Sequence, residues 1–286
     1  MAIEFEGVCK NFGHTRALEN ISLRLEENTI YGLLGSNGAG KSTLLNILGG
    51  RLLPGRGRVR VDGMPAGTDE AQARVFIVGE ANLFPEDMKV KKAFRAARAF
   101  LPGFEAQKAL ELAKEFGLDT KKRVKNLSTG YGSIFRLILG LCCGADYVAF
   151  DEPVLGLDAR HRDLFYRLLM EGYAARPHTI ILSTHLIAEA ANLLEEAVIL
   201  HRGHLVQQAP TENLRGAYCS VSGPARLMEE YLKDKRVVSQ SAVGGLRTAC
   251  VENDGAPLPP GLERSPLDLQ EYFIHLMEEK DKEEVG

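Results

Sequence analysis

Four short groups of residues in this chain have types and spacings that could do chemistry together. The first is Gly35-Ser36-Asn37-Gly38-Ala39-Gly40-Lys41-Ser42, followed by Thr43, which fits the phosphate-binding pattern G-x-x-x-x-G-K-[ST]. Its glycines admit positive φ and let backbone N–H groups close around a polyphosphate. Lys41 would bring a point charge to the β- and γ-phosphates, and Ser42 a hydroxyl to Mg²⁺. The second is Asp151-Glu152-Pro153, which directly follows the apolar run Tyr147-Val148-Ala149-Phe150. Beside a phosphate loop, such a carboxylate pair suits Mg²⁺ coordination together with general-base work. The third is Leu127-Ser128-Thr129-Gly130-Tyr131, where Ser128 suits a helix N-cap and Gly130 allows close backbone approach. The fourth is His185, at the tip of the apolar run Thr179-Ile180-Ile181-Leu182-Ser183. A lone histidine is usually a satisfied surface or core group, but one at a strand tip can hydrogen-bond a γ-phosphate.

Those groups need elements to position them. Thr29 to Leu34 reads as a buried strand entering the phosphate loop. Thr43 to Leu48 reads as a helix leaving it, whose positive N-terminal end would face phosphate. With both flanks in place a chance match is improbable, and the loop implies a nucleoside triphosphate site. Tyr147 to Phe150 and Thr179 to Ser183 are further apolar strands, and the former aims Asp151 and Glu152 at the ligand-binding edge of a sheet. Helical stretches are expected from Met88 to Gly117, from Leu127 to about Cys143 and from His161 to Tyr173. Strands alternating with helices predict an α/β fold with a mainly parallel sheet. Ile3 to Val8 and Ile21 to Leu25 alternate without an intervening helix, which predicts an antiparallel portion beside it. Ala197 to Val206 reads as a closing hairpin whose His201 and His204 have no evident third metal ligand. Phe12 falls on an expected loop, as either a core residue or an aromatic for adenine stacking. Lys91, Arg95 and Arg98 share a helix face, which is either solvated or turned to a partner or lipid headgroups. Residues 1–214 are expected to form the main α/β domain. Residues 215–286 are expected to form a small α+β appendage.

A net charge of −3 gives no support for non-specific nucleic-acid binding. The five cysteines are odd in number and lack C-x-x-C spacing, as in reduced cytosolic proteins; Cys142 and Cys143 are expected to pack on a helix. The N-terminus carries early glutamates and no apolar run, so no signal peptide is expected. The longest apolar region, Ile134 to Phe150, is interrupted by Arg136 and Asp146 and is shorter than the ~20 residues of a membrane span. A membrane role would therefore run through a partner.

Taken in order, these motifs resemble those of the ATP-binding cassette family, specifically the nucleotide-binding subunit of a transporter, over residues 1 to about 210. GLLGSNGAGKST is similar to its Walker A and YVAFDEP to its Walker B with catalytic glutamate. LSTGY stands at the place of the LSGGQ signature, Gly156-Leu157-Asp158 resembles the D-loop, and Ser183-Thr184-His185 the H-loop. The resemblance implies that residues 1–214 are the ATPase domain, with a helical subdomain at about 86–140. It implies a P-loop NTPase core, ATP and Mg²⁺, and adenine stacking by Phe12. It implies catalysis by Glu152, His185 and Lys41, with metal contacts from Ser42 and Asp151. It also implies head-to-tail pairing of two cassettes, in which Ser128 and Gly130 meet the ATP of the other copy. Partners would be an integral-membrane subunit and a second cassette, like or unlike, with no nucleic acid, at the inner face of the cell membrane. Two departures stand out. Thr129 and Tyr131 replace the usual signature residues, and the Q-loop has no glutamine, its place falling to Gly79 or, with one gap, to Glu80 as a metal contact. LS-x-G-x, DEPVLGLDARHRDLFY and SPLDLQEYFIHLM resemble the bacterial exporter branch, including peptide-antibiotic resistance systems. The alternatives are a weakly hydrolysing regulatory half of a heterodimer and a soluble cassette ATPase. The latter usually carries coiled-coil insertions or two cassettes, which this chain lacks.

Overall fold

A computed structural model describes residues 1–79, 81 and 83–285. The chain opens with a hairpin, β1 (Ala2–Phe12) and β2 (Thr15–Glu26), then β3 (Ile30–Leu34) and helix α1 (Lys41–Leu48). Next come β4 (Arg56–Val61), β5 (Met64–Pro65), the short α2 (Asp69–Gln72) and β6 (Val75–Val78). A helical stretch follows: α3 (Val90–Phe100), α4 (Ala106–Glu115) and α5 (Thr129–Leu141). The order then alternates through β7 (Tyr147–Asp151), α6 (Ala159–Ala175), β8 (Thr179–Thr184), α7 (Ile187–Ala190), β9 (Glu196–His201) and β10 (His204–Pro210).

These elements build two sheets in the first compact unit, residues 1–185 and 196–208. The central sheet has the order β10-β9-β3-β8-β7-β6. Its pairs β9–β3, β3–β8, β8–β7 and β7–β6 are parallel. All five residues of β3, all four of β6 and all six of β8 are buried, as in a sheet covered on both faces. The second sheet, β2-β1-β4-β5, is antiparallel and alternates buried and exposed residues along β2. One apolar core joins the two sheets: Ile3, Phe5 and Val61 of the antiparallel sheet share it with Leu44 and Leu48 of α1 and Ile181 of β8.

Three expectations need correcting. The stretch Met88 to Gly117 is two helices, because Pro102-Gly103 lies between α3 and α4, and proline cannot continue a hydrogen-bonded helix. Cys142 caps the C-terminus of α5 and Cys143 lies beyond it; both thiols are buried, which pushes them up to about 12 and about 11. The chain divides after residue 208 where 214 was expected, and residues 186–195 join the second unit. The cause is local bonding, since Thr211 Oγ1 donates to Leu194 O at 2.6 Å and Arg215 Nη2 to Ala191 O at 2.6 Å.

The second unit holds α8 (Thr211–Ala217), β11 (Tyr218–Pro224), α9 (Ala225–Tyr231), β12 (Val237–Val243), β13 (Leu246–Glu252), β14 (Glu263–Pro266) and α10 (Leu269–Val285). Its sheet has the order β12-β13-β11-β14 with antiparallel neighbours. Val221, Met228, Val251 and Leu262 form its core, and Leu269 and Tyr272 of α10 are buried.

Within the first unit one polar knot ties the sheets together. Tyr147, 1% exposed at the start of β7, donates its hydroxyl to Asp62 Oδ1 at 2.6 Å. Asp62 also accepts from Ala2 N at 2.9 Å and from Arg74 Nη1 at 2.7 Å. Burial and the Asp62 carboxylate push the Tyr147 phenol up, so it stays a donor at neutral pH. Removing the acceptor leaves a buried hydroxyl without its partner. Asp62→Ala is expected to lower urea-unfolding stability by about 1–3 kcal/mol, whereas Tyr147→Phe, which removes the donor, should cost no more than about 1.5 kcal/mol.

Candidate functional site

Parallel register assembles the site at the carboxyl edge of the central sheet. Leu34 pairs with Thr184, so the chain leaves β3 for the phosphate loop beside the exit of β8 toward His185. Asp151 pairs with Ser183, which sets the acidic pair beside the same exit. Ser183 Oγ donates to Asp151 Oδ1 at 2.8 Å, and Glu152 N donates to Ser183 O at 2.8 Å. Edges of three strands thus converge without any of the three motifs being near another in sequence.

The loop itself is shaped by contacts that the motif alone does not reveal. Gly40 has φ +106°, and a Cβ there would lie 2.6 Å from Ala17 O and 2.7 Å from Leu18 Cδ2. Gly38 has φ +82° with nothing within 4 Å of its would-be Cβ, so it faces open space. Beneath the loop, the turn between β9 and β10 acts as a support: Gly203 N donates to Ala39 O at 3.0 Å and Gly203 O accepts from Glu19 N at 2.8 Å. That role of Gly203 was not evident from the hairpin pattern. Helix α1 begins at Gly40 with no side-chain cap, leaving its first N–H groups and its positive dipole end for a ligand.

Lys41 is 6% exposed, and its Nζ donates to Gly35 O at 2.6 Å and Ser36 O at 3.3 Å. It also lies 3.5 Å from Glu152 Oε1. The other carboxylate oxygen, Oε2, is 2.8 Å from His185 Nδ1. An ionised carboxylate only accepts, so Nδ1 carries the proton in this bond. Glu152 has φ +48°, a left-handed conformation that costs a non-glycine residue on the order of 1 kcal/mol. Its Oε1 is buried and makes no hydrogen bond. The side chain is therefore held at one oxygen, by a histidine, and presents the other beside a buried ammonium.

Ser42, Asp151 and Glu152 line one cavity of about 850 Å³, with Asn37 on the loop side and Thr129 and Ser133 of α5 on another. Among the described residues no cluster of three His, Cys, Asp or Glu ligands exists, so a metal here would rest on Ser42, Asp151 and oxygens brought by phosphate and water. The cavity wall also includes Gly79 and Arg51. Arg51 Nη2 donates to Ile77 O at 3.0 Å, and burial pulls its guanidinium pKa down. It follows α1 closely in sequence but carries no motif, so no pattern could have marked it. Glu80, the alternative metal contact, lies outside the described residues.

The remaining candidates are placed as follows. Phe12 ends β1 rather than sitting in a loop and is 48% exposed, which removes the core alternative. Ser128 caps α5 by accepting from Tyr131 N at 3.4 Å. Gly130 has Gly156 O 3.5 Å from its would-be Cβ. Asp158 caps α6, accepting from His161 N at 2.9 Å, and that bond holds its carboxyl below the usual carboxylate range. His161 in turn lies between Phe116 and Tyr131, with ring centroids 6.0 and 6.4 Å away. His204 lies 3.7 Å from Glu19, and His201 is buried away from any metal-binding group among the described residues. No helix among those residues is long and apolar enough to cross a membrane.

Comparison with known proteins places these features in context. Residues 18–155 match the family model described as ABC transporter. The chain is 28% identical to a Nod factor export ATP-binding protein I from Paraburkholderia xenovorans (strain LB400), over 96% of each protein. It is 32% identical to the arabinose import ATP-binding protein AraG of Ralstonia nicotianae, over 71% of this chain and 42% of that protein. It is 30% identical to a ribose import ATP-binding protein of Rubrobacter xylanophilus, of which it spans 43%. The chain thus covers less than half the length of the sugar-import relatives. Among solved structures, an ATP-binding subunit of an ABC transporter superposes with a TM-score of 0.68 at 23% identity, over 75% of this chain and 92% of that one. A dimeric bacterial ABC transporter cassette superposes with a TM-score of 0.65 at 21% identity, over 73% and 98%. At such identities the likeness concerns the fold.

Gly38 and Gly40 should respond differently to the same added methyl group. Gly38→Ala meets open space and should keep the thermal stability within the cost of its φ, about 1–3 kcal/mol, while weakening nucleotide binding. Gly40→Ala adds a collision with the Ala17 carbonyl and should lose both, as read by thermal melting and calorimetric titration with MgADP.

Proposed function

The chain carries an ABC transporter ATP-binding domain and is an ATPase subunit of a transporter, and from that premise we propose that it powers an exporter. The observation that carries the catalytic assignment is the state of Glu152. His185 holds one oxygen of its carboxylate, and the other is buried beside Lys41 without a hydrogen bond. A carboxylate so oriented is suited to take the proton of an attacking water. Lys41, now shared between Gly35 O, Ser36 O and Glu152, is placed to exchange those weak partners for a γ-phosphate. His185 orients the base, the backbone N–H groups of Ser36 to Thr43 and the start of α1 cradle phosphate, and Phe12 offers its exposed ring to adenine. Ser42 and Asp151 would hold Mg²⁺, which when bound supplies positive charge to the phosphate oxygens.

Ser128, exposed at the N-cap of α5, and Gly130 would serve the nucleotide of a second cassette, like or unlike, in a head-to-tail pair. Export as the direction is supported by the relatives that this chain matches from end to end, which are named for Nod factor export, whereas the import relatives match over part of their length. The working partner would be an integral-membrane subunit, with the chain at the inner face of the membrane.

Steady-state phosphate release and size-exclusion chromatography with ATP test this reading. Wild type should turn over MgATP. Glu152→Gln should fall by on the order of 100-fold or more while accumulating as an ATP-bound dimer. Retained turnover in Glu152→Gln would remove the base assignment. Binding without dimerisation or turnover in wild type would point to an unlike partner cassette.

A further inference from the structure

Two basic segments far apart in sequence meet on the helical part of the first unit. Lys89-Val90-Lys91-Lys92 begins α3, and Lys121-Lys122-Arg123 precedes α5. The backbone pairs them: Val90 N donates to Lys122 O at 3.0 Å, Lys91 N to Thr120 O at 3.0 Å, and Lys89 bridges Arg123 in antiparallel register. The result is one surface carrying Lys89, Lys91, Lys92, Lys121 and Lys122, of which all but the partly covered Lys91 are exposed. Of the acids nearby, Asp87 is engaged by Arg123 at 2.9 Å and Lys125 at 2.6 Å, exposed Asp119 accepts from Lys121 N at 2.9 Å, and exposed Glu86 has its carbonyl on Lys125 N at 3.0 Å. Among the described residues none of those five lysines forms an ion pair. Helix α3 contains no acidic residue, and its outer face continues the charge from Lys91 through Arg95 and Arg98; Phe100, its last residue, is 77% exposed but lies about half a turn round the helix from them. All this occurs in a chain of net charge −3, so the charge is concentrated, not general.

We propose that this surface seats on the anionic headgroups of a phospholipid bilayer. The proposal rests on the transporter reading, which keeps the chain within reach of a membrane. Unpaired lysines are mobile point charges that suit diffuse attraction to acidic lipid. A basic helix face joined to a second lysine run makes a seat held by charge, without an apolar anchor. Base recognition by single-stranded nucleic acid would need aromatic side chains among the cations, and the paired lysine segments contain none. The surface would hold the ATPase against the bilayer independently of contacts to a membrane subunit.

Sedimentation of the purified chain with vesicles tests it. Vesicles of phosphatidylcholine alone are compared with vesicles containing phosphatidylglycerol, at about 0.05 M and about 0.5 M salt. The expected result is binding to the phosphatidylglycerol vesicles only, abolished at the higher salt. Replacing Lys91, Lys92, Lys121 and Lys122 with glutamine should weaken partition roughly fivefold per charge, and replacing the same four with arginine should preserve it. Phe100→Ala, on the other side of α3, should leave partition unchanged. MgATP turnover without vesicles should stay at the wild-type level in all three. Absence of binding, equal binding to neutral vesicles, or equal loss in the glutamine and arginine variants would overturn the proposal. Tighter binding to duplex DNA or to polyglutamate at the same salt would overturn it in favour of a nucleic acid or an acidic protein face. Loss of turnover with vesicle binding intact would instead count against the ATPase assignment.

Discussion

The parallel pairing of β3 with β8 and of β8 with β7 is the constraint on which the site depends, because it brings three distant loops to one edge. Strands buried on both faces cannot select register by hydrophobic alternation alone. Here the selection comes from polar contacts at the edge itself. Ser183 is completely buried and binds Asp151 through its hydroxyl and Glu152 through its carbonyl. A slip of one residue between β7 and β8 would break both bonds and point alternate side chains to the wrong face. Ser183 thus fixes the register of β7 against β8 and the position of the acidic pair at once.

Within that frame the charges are arranged so that each is tied and none is quenched. Lys41 is buried, which a lysine tolerates only with partners; its partners are two loop carbonyls and Glu152. Glu152 adopts left-handed φ, and its two oxygens have different environments. A strained residue with one free acceptor is a common arrangement where geometry serves reaction more than stability. Gly203 shows the supporting layer: its backbone joins the phosphate loop to β2 by two hydrogen bonds, so a hairpin remote in sequence fixes the floor of the loop.

Charge is also segregated across the first unit. Carboxylates Asp151 and Glu152 gather at the sheet edge, with Arg51 across the same cavity, while uncompensated lysines gather where α3 meets the segment before α5. Gly79, one of the two candidates for the Q-loop position, lines the same cavity, and its would-be Cβ is 3.7 Å from Arg51 Nη1. A cation therefore lies beside the end of β6. Its guanidinium is anchored on Ile77 O, so it stiffens the end of β6 as well as lining the cavity.

Much was legible in the residues alone. The phosphate loop, the acidic pair after four apolar residues and the strand ending in His185 carry local signatures, because backbone conformation, strand burial and helix capping leave marks within a few positions. Ser128 was readable as a cap for the same reason, and it accepts from the residue three positions on. What the sequence could not determine is whatever depends on separation in the chain. The 2.8 Å contact of His185 with Glu152 and the support of Ala39 by Gly203 arise only when β3, β7, β8 and β9 lie side by side. The joining of two lysine runs into one surface depends likewise on a backbone bridge between residues 89 and 123. The assignment of residues 186–195 to the second unit follows from bonds that Thr211 and Arg215 make backward along the chain. The amino-acid order specified which groups could react and how each is locally held; tertiary pairing decided which of them meet, because distance in space is set by register and not by spacing in sequence.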